Sequence, residues 1–157
     1  MVDSNDILRK IRYIFNYGDD QMIELFRLGD MTVSRSQLCD WLKRDDDPLL
    51  KPLLHIELAA FLNGFIASKR GKIEGKIIIP EKSLNNNIVL RKLKIALNLV
   101  DEELIEIFKL AGFDVSKHEL SAFFRNPSHK QFRFCKDQFL RNFLRGMQIK
   151  YRDASVD

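Results

Sequence analysis

Long apolar runs are missing from this chain of 157 residues. No stretch approaches the roughly 20 apolar residues that span a bilayer. The N-terminal segment MVDSNDILRK carries acidic residues where a secretory signal would be basic. A soluble, cytoplasmic protein without membrane contact is expected. Cysteine is scarce as well. Cys39 and Cys135 are too few for a disulfide framework and fit a reducing compartment with free thiols, a single bridge between them being the alternative. Histidine is limited to His55, His118 and His129, which lie in different local contexts with no cysteine or acid at metal-ligand spacing. Seven glycines are spread along the chain without forming a phosphate-cradling loop. Neither cysteine has the flanking pattern of a nucleophile. These scarcities point away from catalysis and from a metal or cofactor, and toward binding.

What is present suits a globular core. Hydrophobic residues make up 45% of the chain, and twelve are phenylalanine, whose burial should dominate the interior. The net charge of +4 is unevenly placed. Residues 5–70 hold ten Lys/Arg against ten Asp/Glu, a balance of zero, whereas residues 87–152 hold thirteen against seven, a balance of +6. Such asymmetry suits a polyanionic partner, and a well-solvated second half is the plainer alternative.

An internal repeat organises the chain. The phrase Val33-Ser34-Arg35-Ser36-Gln37-Leu38 returns as Val115-Ser116-Lys117-His118-Glu119-Leu120, 82 positions later. At that offset, 13 of the 39 positions in residues 5–43 recur in 87–125, among them Asn5, Asn16, Asp19, Phe26 and Ser34. Further on, Phe61-Leu62-Asn63-Gly64-Phe65-Ile66 matches Phe139-Leu140-Arg141-Asn142-Phe143-Leu144 at an offset of 78. That shift implies four extra residues in the first copy, placed within Asp45-Asp46-Asp47-Pro48. Domain boundaries follow: repeat 1 over 1–70, a linker over 71–86, repeat 2 over 87–152 and a tail over 153–157. Ile77-Ile78-Ile79 in the linker is too apolar for free solvent and predicts an extended segment packed on a helix, or a short strand.

Each repeat reads as four helices. Ile7, Leu8, Ile11, Ile14 and Phe15 share one helical face, as do Leu90, Leu93 and Leu97. Asp19 and Asp101 are expected to cap the second helix, with Met22, Ile23 and Phe26, or Leu104, Ile105 and Phe108, facing inward. The third helix opens with the repeated phrase. Ser34 with Gln37, and Ser116 with Glu119, have capping-box spacing, and Val33 with Leu38, and Val115 with Leu120, that of a hydrophobic staple. Loss of either serine hydroxyl should cost about 1 kcal/mol. The fourth helix is expected after Asp47-Pro48 or Asn126-Pro127, with proline at its first position. Its stripe in the second copy is Phe132, Cys135, Phe139, Leu140, Phe143, Leu144 and Met147. The expected fold is all-α: a tandem repeat of two similar four-helix units, with helix-turn-helix-like second and third helices, arranged with pseudo-twofold symmetry about a shared apolar interface and joined by a short extended linker.

Two surfaces are candidates for nucleic acid. Helices two and three resemble those of bacterial helix-turn-helix repressors, in which the start of the third helix meets base edges. The connection is about one helical turn longer than in that motif, since eleven residues separate Leu104 from Val115. Arg35 and Lys117, outside the positions that the cap requires, would be the readers; simple three-helix packing is the competing explanation. The second candidate is the basic stretch 125–152, in which Arg133, Arg141, Arg145 and Lys150 would neutralise phosphates. Its interleaved aromatics suit single strands, although their helical spacing also suits a core, and a solvated helix face is again the plainer explanation. The alternative function is a protein–protein adaptor or homodimer.

Several segments together carry a family resemblance: Asn5-Asp6-Ile7-Leu8-Arg9, the repeated Val-Ser-x-x-Gln/Glu-Leu, Lys69-Arg70-Gly71-Lys72, Asn86-Asn87-Ile88-Val89-Leu90, Leu110-Ala111-Gly112-Phe113 and Leu140-Arg141-Asn142-Phe143-Leu144. The chain resembles the YehS-like bacterial proteins, a two-repeat family of unknown function, over nearly its whole length. The resemblance implies a cytoplasmic, all-helical tandem repeat and, the family having no established activity, supplies no catalytic residues to carry over. It also implies a cysteine near Leu54-His55-Ile56-Glu57, to match Cys135-Lys136-Asp137-Gln138, where this chain has none.

Overall fold

The repeated phrase starts a helix in both copies. Ser34 Oγ accepts from Gln37 N–H at 3.1 Å while Gln37 Oε1 accepts from Ser34 N–H at 2.9 Å. Ser116 and Glu119 make the same reciprocal pair at 3.1 Å and 3.1 Å. The flanking Val33, Leu38, Val115 and Leu120 are all buried, as a staple at each entry requires.

The computed structural model describes residues 1–72 and 74–155. The chain is all-helical, with no strand among the described residues. It forms two compact units, one of Asp3–Leu84 and one of Met1–Val2 together with the chain from Asn85 onward. The first contains α1 (Ser4–Ile14), α2 (Asp19–Leu28), α3 (Arg35–Trp41) and α4 (His55–Arg70). The second contains α5 (Asn86–Ala96), α6 (Asp101–Leu110), α7 (Lys117–Phe124) and α8 (Asp137–Met147). A π-helical turn, Gln148–Arg152, and a 3-10 turn, Asp153–Ser155, follow α8. Connections of six residues, 29–34 and 111–116, join the second and third helices of each unit, longer than the three or four of a helix-turn-helix.

Both cores are aromatic. In the first unit Phe26 lies 5.4 Å from Trp41 and 5.1 Å from Phe61, centroid to centroid. In the second, Phe108 lies 5.2 Å from Phe143, and Phe139 lies 5.1 Å from Phe123. On α1, Ile7, Leu8, Ile11 and Ile14 are buried, as their spacing predicts. The second helices bury Met22, Leu25 and Phe26, or Leu104, Ile107 and Phe108; Ile23 and Ile105 are only half-buried.

The equivalence between repeats keeps one offset, 82, from end to end. Gly64 and Gly146 approach Leu25 and Ile107 in the same way, and each of these pairs is 82 apart. Phe61 therefore matches Phe143, not Phe139, and the first copy has no four-residue insertion. The mistaken register has a simple cause. Four residues are about one helical turn, so a shift of four superposes the same apolar face on itself. Leu53, not Leu54, stands where the second repeat has Cys135.

Other expectations also change. Asp19 and Asp101 occupy the first helical positions and not the caps; Gly18 and Val100 precede them, their N–H groups held by Gln21 Oε1 at 2.8 Å and Glu103 Oε1 at 3.0 Å. Neither proline starts a helix, since α4 begins at His55 and α8 at Asp137. Phe132 and Cys135 consequently precede α8 and lie outside its stripe. Ile77 and Ile79 are exposed, at 80% and 82%, and pack on no helix.

Candidate functional site

The connection between α7 and α8 is built from the asparagine that opens the repeat. Asn87, buried on α5, donates from Nδ2 to the carbonyls of Phe123 at 3.0 Å and Arg133 at 2.9 Å, and its Oδ1 accepts from Cys135 N–H at 2.9 Å. Asn5 makes the equivalent set in the first unit, with the carbonyls of Trp41 and Lys51 and the N–H of Leu53, each at 2.9 Å. The two backbone bonds around Arg133 and Cys135 hold whatever residue lies between them. In the first unit that residue is Pro52. In the second it is Phe134, 69% exposed. Its ring meets Phe132 edge-on, with centroids 5.0 Å apart and planes at 82°.

The rest of this connection is pinned locally. Ser128 N–H donates to Asn126 Oδ1 at 2.9 Å, Gln131 N–H to His129 Nδ1 at 3.0 Å, and Arg133 N–H to the Ala122 carbonyl at 3.2 Å. Residues 125–136 carry Arg125, Lys130, Arg133 and Lys136 and no acid, a balance of +4. Residues 43–54, the same twelve positions of the first repeat, carry three Lys/Arg against Asp45, Asp46 and Asp47, a balance of zero. Those acids are answered locally: Asp45 pairs with Arg9 at 2.5 Å, Asp46 with Arg44 at 3.5 Å, and Asp47 Oδ1 accepts from Leu49 N–H at 2.8 Å.

The six cations singled out from the sequence fall into different settings. Arg141 and Arg145 are exposed and one turn apart on α8. Arg133 is exposed beside Phe134, with Nη1 donating to the Phe132 carbonyl at 3.0 Å. Lys150 is half-buried in the π-helical turn, its ammonium 5.6 Å from the Tyr151 ring centre. Arg35 and Lys117, left without a structural task by the cap, have one. Arg35 pairs with Asp20 and, at 3.2 Å, with Asp19, which also takes Arg12 at 2.9 Å. In the second unit Lys117 pairs with Glu102 at 3.1 Å and Lys94 with Asp101 at 3.2 Å. These exposed and half-buried pairs join three helices in each unit. They account for the recurrence of charge at all four positions while adding little stability each. A shallow groove lined by Arg12, Gly18, Asp19, Asp20, Gln21 and Arg35 overlies the first network.

The thiols differ sharply. Cys39 is exposed, whereas Cys135, in the α7–α8 connection, is buried. Burial, followed by the nearby Asp137 carboxylate, pushes the Cys135 thiol up to about 12. It stays protonated at neutral pH and is a poor nucleophile. Asp137 itself is held below the usual carboxylate range, first by the Asn86 amide at 2.7 Å and also by the N-terminal ammonium at 3.5 Å. No group of three or more His, Cys, Asp or Glu side chains that could hold a metal occurs among the described residues. None of the helices is long and apolar enough to cross a membrane, among those same residues.

The sequence profile of a family described as "Protein of unknown function (DUF1456)" matches twice, over residues 4–71 and 86–153. The chain belongs to this family. The two matches begin 82 residues apart and end 82 residues apart, the same register as the buried asparagines and the close-packed glycines. The chain is also 43% identical over 148 residues to "Uncharacterized protein YehS" of Escherichia coli (strain K12), covering 94% of this chain and 95% of that one. The resemblance to YehS-like proteins is thus confirmed. No solved structure matches the chain.

Phe134 escaped the sequence reading. Once a helix is assumed to start at Pro127, the aromatics before α8 are absorbed into a core stripe. A constant offset would have exposed the error, because it aligns Phe134 with Pro52, a residue unsuited to a helix interior.

Proposed function

We propose that this protein is a non-enzymatic binding protein that contacts nucleic acid, or another polyanion, through the basic surface of its second repeat. The observation that carries this reading is the contrast between two equivalent connections: residues 125–136 at +4 and residues 43–54 at zero. One fold position serves as the other's control. Because the first repeat folds the same segment around the same asparagine with Asp45, Asp46 and Asp47 balancing its three cations, the positive excess of the second is not a requirement of folding. Arg141 and Arg145 extend the positive surface along α8. Lysine and arginine side chains near a polyanion displace its condensed counterions, giving salt-dependent, largely sequence-blind affinity.

A fluorescence-anisotropy titration against DNA and RNA over a range of salt tests it. Log affinity should fall linearly with log salt, with a slope of about 0.7 to 0.9 per contacted phosphate. Charge reversal at Arg141 and Arg145 should weaken binding at least about tenfold, equivalent to roughly 1.4 kcal/mol. Absence of binding at low salt would overturn the reading.

A second reading, a protein–protein adaptor or homodimer, is supported by the exposed Ile77 and Ile79 of the linker. A monomer by sedimentation, together with an empty pull-down, would count against it.

A further inference from the structure

We infer that the polyanion taken by the second repeat is single-stranded nucleic acid, with an unpaired base stacking on Phe134 and the adjoining phosphates paired by Lys130, Arg133 and Lys136. This inference rests on the nucleic-acid reading above and gives it a substrate class.

One exposed phenylalanine is ordinary on a protein surface. Three further observations make this one specific. First, its backbone is rigid: the Arg133 carbonyl and the Cys135 N–H, immediately before and after it, are both bonded to buried Asn87 at 2.9 Å. A platform held this way loses little conformational entropy when a ligand lands on it. Second, the fold does not ask for an aromatic here. The same asparagine geometry in the first repeat presents Pro52, flanked by Lys51 and Leu53. Third, the ring sits within a cationic run. Lys130, Arg133 and Lys136 are exposed in the same short segment, and no acid lies between residues 125 and 136. Phe132, half-buried and edge-on at 5.0 Å, buttresses the ring.

An aromatic face among cations selects single strands for a geometric reason. In a duplex the base faces are covered by their neighbours, and only phosphates and base edges are offered to a surface side chain. Unpaired bases offer a π-face of any sequence to an aromatic ring. The cations alone would serve duplex and single strand alike; Phe134 adds affinity for the single strand only.

The test uses the full chain, fluorescein-labelled oligo(dT) and oligo(rU), and a duplex of matching length, titrated at fixed low salt. The wild type should prefer the single strands by about tenfold, the size of one stacking contact. Phe134→Ala should remove that preference, leave duplex affinity within about twofold, and leave thermal unfolding unchanged. Phe134→Trp should retain single-strand binding, with the new indole quenched on addition of oligo(dT) against the constant background of Trp41. Equal affinity of the wild type for single strand and duplex, or a Phe134→Ala protein that keeps the preference, would overturn the inference. If both forms bind and only the Arg141/Arg145 reversal weakens them, the stacking inference falls while the polyanion reading stands. If neither form binds at low salt, both fall.

Discussion

Asn5 and Asn87 show how much one side chain can organise. Each satisfies three backbone groups, one in the third helix of its unit and two in the connection that follows, and each is buried. Alanine would leave a buried carbonyl, a buried N–H and a half-buried carbonyl without their partner, so Asn5→Ala and Asn87→Ala should each cost about 2–4 kcal/mol by urea denaturation. Asn87→Ala should also loosen the seat of Phe134 and lower single-strand affinity, which Asn5→Ala should spare. Asn16 and Asn98 recur for a different reason. Both have φ of +52°, which asparagine tolerates better than most residues. Thiol chemistry offers a third check at this scale. At pH 8 one thiol, Cys39, should react quickly with an alkylating reagent in the native protein, and two should react in denaturant. Cys135, with its pKa pushed up to about 12, remains almost fully protonated as well as covered. Rapid native labelling of both would contradict the burial.

The helices pack through their smallest residues. A Cβ placed on Gly64 would lie 1.6 Å from the Leu25 carbonyl oxygen, and one on Gly146 would lie 1.9 Å from that of Ile107. Both obstacles are backbone, so no rotamer change relieves them. In an isolated helix glycine-to-alanine gains about 1 kcal/mol. Here the sign should reverse: Gly64→Ala and Gly146→Ala should each destabilise by about 3 kcal/mol or more, because α2 and α4, or α6 and α8, must move apart. Thermal melts of the two variants would decide it; stabilisation in either would show that the close approach is not real. These glycines also fix the register of the last helix pair. Periodicity could not, since shifting a helix by one turn leaves its apolar face nearly unchanged. The caps were readable because a cap is set by side-chain chemistry at fixed spacing, and Ser34→Ala or Ser116→Ala should cost about the 1 kcal/mol expected from that spacing alone.

Across the whole molecule, duplication kept the scaffold and let one surface diverge. Hydrogen-bonded asparagines, capping boxes, helix ties and close-packed glycines recur at the offset of 82, while residues 43–54 and 125–136 differ in charge and in Pro52 against Phe134. A graft tests whether this divergence is functional. Replacing residues 130–136 by the sequence of residues 48–54 introduces no change of length and keeps the backbone groups that Asn87 holds. The chimera should fold, with helical circular dichroism near that of the parent. It should lose single-strand affinity by at least about tenfold, the combined effect of a lost stacking contact and lost phosphate pairs. A folded chimera with undiminished affinity would place the binding surface elsewhere.

The sequence by itself determined the duplication, visible as matches at one fixed offset, and the helical class, the serine caps and the inward faces of the first helices, each of which follows from interactions between residues a few positions apart. Phe132 and Phe134 show where such reasoning stops: spacing alone placed Phe132 in a helical stripe, and tertiary structure set it half-buried beside an exposed ring. The task of Arg35 and Lys117 was likewise invisible, since their partners Asp20 and Glu102 lie on another helix, brought close only by folding. Local chemistry decides which segments are helical. Where an extended segment sits, and which of its side chains is left facing water, depends on hydrogen bonds such as those of Asn87 that join residues nearly fifty positions apart, and only the folded chain brings those residues together.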